Sequence, residues 1–176
     1  MREVGWAKAA AIAVVLLWRT AGAAAEPAAG AGGDREFLEQ ALGVNELELQ
    51  LGRLAAERAS SPEVKASGAK MVEKHTQLGQ RLAELARAAG ARPTPQLTDE
   101  QRATYRRVEA ESGARFDAVF QQTVDAGHVN ELAMYRAEAS RAHSPGLRAL
   151  SEERVAALEK AVAGAQPKPA KAPGER

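Results

Sequence analysis

Proline and glycine cluster in three stretches of this chain, and the segments between them are almost free of residues that break helices. The clusters span residues 27–33, 90–95 and 167–173. The segments between them are rich in alanine, leucine, glutamate and arginine, and aromatic residues make up only 4% of the chain. Because those four residues have high helix propensity and aromatic residues favour strands, the sequence predicts an all-α fold.

Two Ser-Pro pairs mark the starts of two long helices. Ser61 and Ser144 are each followed by proline, so that a serine N-cap precedes a proline at the first helical position. Each pair follows the preceding helix after a tight turn, and such turns join antiparallel neighbours. The sequence therefore predicts an antiparallel four-helix bundle built from two helical hairpins.

Other signals predict a shorter helix between the second and third long helices. Thr98 and Gln101 form a capping box at its start, and Ser112-Gly113 breaks the chain after it. Its many charges are typical of a solvated lid across one end of the bundle, which we favour over an anion site. The predicted helices run from about 34 to 59, 62 to 89, 98 to 111, 113 to 142 and 145 to 163.

The two ends of the chain differ from this helical region. Residues 1–25 have the layout of a secretory signal peptide, in which Arg2 and Lys8 precede an apolar run and small residues follow it. The run is about half of the roughly 20 residues that cross a bilayer, which favours cleavage near Ala25 over a retained anchor. We therefore predict an exported, periplasmic protein with a signal peptide (1–25), a flexible leader (26–33), a helical bundle (34–163) and a disordered proline- and lysine-rich tail (164–176).

Charge and motif content argue against several classes of function. The chain has 24 basic and 23 acidic residues, interspersed rather than blocked, which predicts no nucleic-acid partner. It has no cysteine, so a disulfide framework, a thiol nucleophile and a lipidated cysteine are excluded. It also has no G-x-S-x-G turn and no glycine-rich phosphate loop. We therefore expect no catalytic residue and lean against an enzyme.

A projection at about 100° per residue gives each long helix a buried, mostly apolar face. Three titratable side chains lie within these faces: Glu48 in the first helix, His75 in the second and Glu131 in the third. His128 lies toward the edge of the third face. The face of the last helix has no acid or histidine at its centre.

The segment VNEL occurs at residues 44–47 and again at 129–132, which suggests an internal duplication. Matching the two copies equates Glu46, which we expect to point outward, with Glu131, which we expect to point inward. Because equivalent positions of a duplicated bundle should face the same way, the literal repeat is in the wrong register.

Matching the two Ser-Pro turns gives a consistent duplication. The equivalent residues are then Ser61 and Ser144, Glu48 and Glu131, and His75 and Leu158. Two hairpins that each carry an inward glutamate in the first helix form the ground plan of ferritin-like carboxylate bundles. The second hairpin, however, lacks the partner histidine.

Four stretches, in this order and spacing, resemble a known family: ELQLGRLAAERASSPEVK, GAKMVEKH, SGARFDAVF and DAGHVNELAMYRAEA. They are similar to exported bacterial proteins of domain of unknown function 4142 over residues 37–162. The resemblance implies a ferritin-like four-helix fold with an extra short helix and a location outside the cytoplasm, but no established activity. Members carry a further histidine in the last helix, whereas Ala161 stands in its place here. Two acids of the family are also replaced, by Lys74 and Gly127.

A di-metal centre of the ferritin-like kind takes a glutamate from each of two helices and a Glu-x-x-His from each of the other two. Glu48 and Glu131 supply the first pair, but Val72 lies three residues before His75, and the last helix has no histidine. The candidate metal ligands are therefore Glu48, His75, His128 and Glu131. We expect no cofactor, with iron or another transition metal as the alternative.

A simpler interpretation makes the same four residues structural. A lone buried charge costs several kcal/mol, so each inward glutamate needs a partner. We expect Glu48 to pair with His75 across the first hairpin, and Glu131 with His128 on its own helix.

Three hypotheses about function remain. The first is a non-enzymatic binding or envelope-associated module, whose basic tail is suited to contact anionic envelope material. The second is a metal-binding protein or oxidoreductase with a reduced carboxylate-histidine site. The third is self-assembly into a homo-oligomer through a face of the bundle.

Overall fold

The computed structural model describes residues 31–165, which form five helices and, within this range, no strand. They are α1 (Ala31–Arg58), α2 (Pro62–Ala88), α3 (Asp99–Glu109), α4 (Gly113–Arg141) and α5 (Pro145–Ala165). The all-α prediction is confirmed. Within this range no helix is long and apolar enough to cross a membrane.

Both ends of the bundle extend past their predicted limits. Helix α1 begins at Ala31, so the last three residues of the predicted leader are helical despite their two glycines. The reason is Asp34, whose buried carboxylate is held by the other hairpin and anchors the first turn. Helix α5 ends at Ala165 and takes in two residues of the predicted tail. The predicted signal peptide, the rest of the leader and the rest of the tail lie outside the described residues.

The helix starts have the predicted capping groups. The hydroxyl of Ser61 accepts the backbone N–H three residues later at 3.2 Å, and Ser144 makes the equivalent contact at 3.4 Å. Thr98 and Gln101 form both hydrogen bonds of the capping box, at 2.9 and 3.2 Å. These contacts fix where α2, α3 and α5 begin, independently of the packing between helices.

The helices pack as two antiparallel hairpins, α1 with α2 and α4 with α5. Between the hairpins, α1 meets α4, where the rings of Phe37 and Tyr135 pack edge to face with centroids 5.3 Å apart. Helix α2 is joined to α5 by an ion pair between Arg81 and Glu153 at 2.7 Å. The predicted four-helix bundle is therefore confirmed.

Helix α3 lies along the side of the bundle, so its predicted position as a lid across one end is wrong. It packs against both α1 and α4. Tyr105 and Val108, one turn apart, give it a narrow apolar edge that joins the core. Arg58 of α1 donates hydrogen bonds to the carbonyl oxygens of Glu109 and Glu111 at 2.9 and 3.0 Å. An edge this narrow fits the seam between two helices, which is why α3 lies there.

Reciprocal caps relate the two hairpins. Asp34 of α1 accepts the backbone N–H groups of Ser144 and the residue before it, at 2.7 and 3.0 Å. Asp117 of α4 accepts those of Ser61 and the residue before it, at 2.8 and 2.9 Å. Residue numbers 34 and 117 differ by 83, as do 61 and 144. The structure thus repeats one interaction in the register deduced from the Ser-Pro turns.

The apolar core has two parts, with buried polar residues between them. One part surrounds Tyr135 and the other surrounds Phe116. Along α1, α2 and α4, the residues Glu48, His75 and Glu131 fall between the residues of one part and those of the other. The four-helix packing therefore brings polar groups together in the middle of the bundle.

Candidate functional site

Five polar side chains, here called the core polar cluster, lie in the middle of the bundle: Asn45, Glu48, His75, Glu131 and Arg154. Glu48, His75 and Glu131 are each only 4% exposed. Polar groups buried this deeply need partners, because each loses its hydrogen bonds to water.

Glu48 and His75 form the predicted pair across the first hairpin. Atom Nε2 of His75 lies 2.9 Å from Oε2 of Glu48. The other ring nitrogen, Nδ1, lies 3.1 Å from Oδ1 of Asn45. An amide oxygen only accepts hydrogen bonds, so in this arrangement Nδ1 carries the proton of the neutral ring. Atom Nε2 is then left with a lone pair directed toward Glu48.

This geometry favours a proton on Glu48. Its Oε2 atom has no hydrogen-bond partner if the group is ionised, despite the 2.9 Å contact, because a carboxylate oxygen and an unprotonated nitrogen both accept. Burial raises the pKa of Glu48 and lowers that of His75 to about 4. A neutral Glu48 that donates to a neutral His75 satisfies both atoms.

Glu131 pairs with Arg154 of α5, so the predicted pairing with His128 is wrong. Atom Nη2 of Arg154 donates to Oε2 of Glu131 at 2.7 Å, and the guanidinium lies over the ring of Tyr135, 5.6 Å from its centroid. His128 is half-buried, and no hydrogen bond joins it to Glu131 among the described residues. The physical reason is reach: the long arginine side chain enters the core from the opposite helix, whereas His128 lies at the edge of its own.

The two glutamates are electrostatically coupled. Burial and the neighbouring Glu48 raise the pKa of Glu131 to about 8, against the opposing effect of Arg154. Coupled carboxyl groups lose their protons as a pair rather than independently, so the pKa of about 8 is that of the one proton the pair holds. The contact between Arg154 and Oε2 of Glu131 favours the charge on Glu131 and the proton on Glu48. Because Arg154 stays charged, one proton shared by the two glutamates leaves the cluster electrically neutral.

Sequence reasoning missed Arg154 and Asn45. Arg154 lies four residues from both Leu150 and Leu158, so it falls on the buried face of α5, but arginine is ordinarily an exposed residue. In the duplication register it corresponds to the buried Met71, 83 residues earlier. That equivalence was the available signal that position 154 faces the core.

The cluster does not fit a di-metal centre of the ferritin-like kind. Arg154 donates to a carboxylate oxygen that such a centre needs as a ligand, and Leu158 stands where the second hairpin would need its histidine. In residues 31–165 no three His, Cys, Asp or Glu side chains are grouped so that they could hold a metal ion. The cluster therefore lacks the ligands of such a centre, and Arg154 already places a positive charge beside Glu131.

Asn45 links the core polar cluster to the surface. Besides contacting His75, it lines a groove of about 380 Å³ between α1 and α2. The groove is bordered by the chain that leads from α2 to α3 and carries charges of both signs; its lining includes Glu46, Arg53, Glu84, Arg87, Pro93 and Pro95. Glu46, expected to point outward, is half-buried at this groove and accepts a hydrogen bond from Gln50 at 2.8 Å.

Comparisons with known proteins identify a family and a fold. Residues 19–167 match the family described as Domain of unknown function (DUF4142). Among solved structures, a candidate secreted protein, DUF305, from Streptomyces coelicolor matches with a TM-score of 0.65 and 12% identity, covering 75% of this chain and 87% of that chain. At this identity the likeness concerns the fold alone. No curated protein matches the chain.

Proposed function

The chain belongs to the family of domain of unknown function 4142, and we propose that it is an exported, ferritin-like bundle serving as a non-enzymatic binding or envelope-associated module. The observation that carries the proposal is the pairing of Arg154 with Glu131. It neutralises the core polar cluster from within, so that no charge is left for a metal ion to balance. We therefore look for a binding function on the surface of the bundle.

The groove beside Asn45 is a candidate binding surface. It is open to solvent, its lining includes Leu42 and Leu49, and it presents two arginines and two glutamates. Small-molecule and peptide sites combine apolar contact with a few placed polar groups in this way. Isothermal titration of anionic cell-wall fragments into the protein, repeated with Arg53→Ala and Arg87→Ala, tests this role. Affinity unchanged in both variants would argue against it.

Export is supported by the signal-peptide layout of residues 1–25. The structural neighbour is itself described as a candidate secreted protein. Expression of the full chain followed by cell fractionation and intact-mass measurement tests the proposal. We expect a periplasmic product that begins near residue 26, and a full-length product in the membrane fraction would indicate a retained anchor.

The metal-binding alternative has one observation in its favour. Oε1 of Glu131 is buried without a hydrogen-bond partner, as is Oε2 of Glu48 whenever that group is ionised, and a small cation could bind such oxygens. Metal analysis of the protein after exposure to iron, manganese and zinc separates the two functions. Stoichiometric binding that is lost in Glu48→Ala and His75→Ala would support the alternative; no binding is the result we expect.

Self-assembly has less support from the described surface. Val129 is the one large apolar side chain exposed among residues 31–165, at 53%. Stable homodimer interfaces are usually broad and apolar. We therefore expect the protein to elute as a monomer in size-exclusion chromatography with light scattering.

A further inference from the structure

The two hairpins each bury one glutamate, but they provide it with different partners. In the first, Glu48 meets His75, 27 residues further along the chain. In the second, the residue 27 positions after Glu131 is Leu158, which is buried and apolar. The partner of Glu131 is instead Arg154, one turn earlier on α5. In the second hairpin, the glutamate therefore has a permanently charged guanidinium as its partner, where the first hairpin has the neutral imidazole of His75.

In the first hairpin, the residue equivalent to Arg154 carries no charge. Its equivalent, Met71, is 8% exposed and packs in the apolar core. The second hairpin keeps the inward glutamate, the Ser-Pro turn and the aspartate that caps the opposite turn. Three positions around the cluster differ: His128 corresponds to Asn45, Arg154 to Met71 and Leu158 to His75. Of these, Arg154 and Leu158 separate the second hairpin from a glutamate–histidine pair like that of the first.

We propose that Arg154 is a built-in cation that occupies a latent metal site, and that its guanidinium excludes a divalent ion from the two buried glutamates. Like charges in a dry interior repel strongly, so a metal ion cannot enter beside a guanidinium that already contacts Glu131. With Arg154 removed, the glutamates and His75 are oxygen and nitrogen donors of the kind that Co²⁺ and Zn²⁺ bind. This inference rests on the proposed function, in which the native cluster binds no metal.

The test compares two variants that share the same added donor. Leu158→His completes the symmetric donor set but keeps Arg154, whereas Arg154→Met with Leu158→His also removes the cation, using the residue found at the equivalent position 71. Each full-length variant is titrated with Co²⁺, whose visible absorption bands report coordination. We expect one Co²⁺ per chain in the double variant and none in Leu158→His.

Thermal unfolding gives a second readout. At about 100 times its dissociation constant, a bound ion should raise the Tm of the double variant by roughly 8 °C and leave that of Leu158→His unchanged. If both variants bind Co²⁺ equally, Arg154 does not exclude the metal and the proposal is wrong. If the double variant fails to bind, or stays unfolded by circular dichroism even with Co²⁺, a metal ion cannot take the place of Arg154.

The native protein is titrated in parallel, because it tests the proposed function separately. Stoichiometric Co²⁺ binding by the native chain would overturn both the proposed function and this inference. Failure confined to the double variant would overturn the inference alone.

Discussion

Replacing Gly68 of α2 by alanine tests how closely the first hairpin is packed. A Cβ atom at this position would lie 2.7 Å from the backbone oxygen of Gly52, 2.7 Å from the backbone nitrogen of Ala56 and 2.8 Å from Cβ of Ala55. Ordinary contacts between such atoms are about 3.5–4.0 Å, so α1 and α2 would have to separate by roughly 1 Å. The atoms concerned are backbone or Cβ, which cannot rotate away.

Two effects oppose each other in this variant. Alanine is favoured over glycine within a helix by about 1 kcal/mol, whereas overpacking typically costs about 1–3 kcal/mol. Separation would also loosen the packing around Leu51 and Met71, which belong to the same part of the core. We expect Gly68→Ala to lower the free energy of unfolding by about 1–2 kcal/mol net.

Urea denaturation followed by circular dichroism measures this change, with Gly127→Ala as the control. A Cβ at position 127 would lie 3.6 Å from its nearest neighbour, Oε1 of Glu48, which is an ordinary contact. The control should therefore keep the stability of the native protein or gain up to about 1 kcal/mol. If Gly68→Ala gains stability as the control does, the close approach of α1 and α2 is not real.

Three further predictions follow from the polar contacts. First, stability should fall by up to about 2 kcal/mol between pH 6.5 and 8. The folded glutamate pair holds one proton, which it loses with a raised pKa of about 8, against 4.5 for a glutamate of the unfolded chain. Urea midpoints across this range check the loss, and they should be flat in Glu48→Gln, which has no such proton. Second, burial lowers the pKa of His75 to about 4 and also lowers that of His128, so below pH 6.5 the unfolded chain takes up these protons first. This opposes the gain from the glutamate pair, so urea midpoints should not rise further between about pH 6.5 and 4.5. A steep continued rise toward acid would contradict this assignment. Third, Asp34→Ala and Asp117→Ala should each lower the free energy of unfolding by about 1–3 kcal/mol in urea denaturation, because each leaves two backbone N–H groups without their carboxylate. A loss confined to one variant would show that the two caps are not equivalent.

Sequence reasoning succeeded where a local signal decided the structure. The Ser-Pro pairs and the Thr98–Gln101 capping box determine helix starts through contacts within one turn, so they can be recognised without knowing the packing. The Glu48–His75 pair was predictable because both residues lie at the centre of apolar faces on helices joined by a tight turn.

Sequence reasoning failed where a contact depends on two segments that are distant in the chain. The partner of Glu131 depends on which side chain of α5 reaches the core, and an arginine within a helix is expected to be solvated. The position of α3 depends on the seam between α1 and α4, which exists only after both hairpins have formed. In both cases the missing information was tertiary, although the duplication register pointed to position 154.

The proposed function requires the core polar cluster to be neutral without a metal, with the proton that faces His75 on Glu48 and the charge that pairs with Arg154 on Glu131. Comparing Glu48→Gln with Glu131→Gln at pH 7 tests it most directly. Glutamine mimics a protonated Glu48 and should change the free energy of unfolding by less than about 1 kcal/mol. At position 131 it leaves Arg154 buried without a counter-charge, which should cost about 3–5 kcal/mol. Equal costs, or a larger cost at position 48, would contradict the assignment of the proton and of the charge.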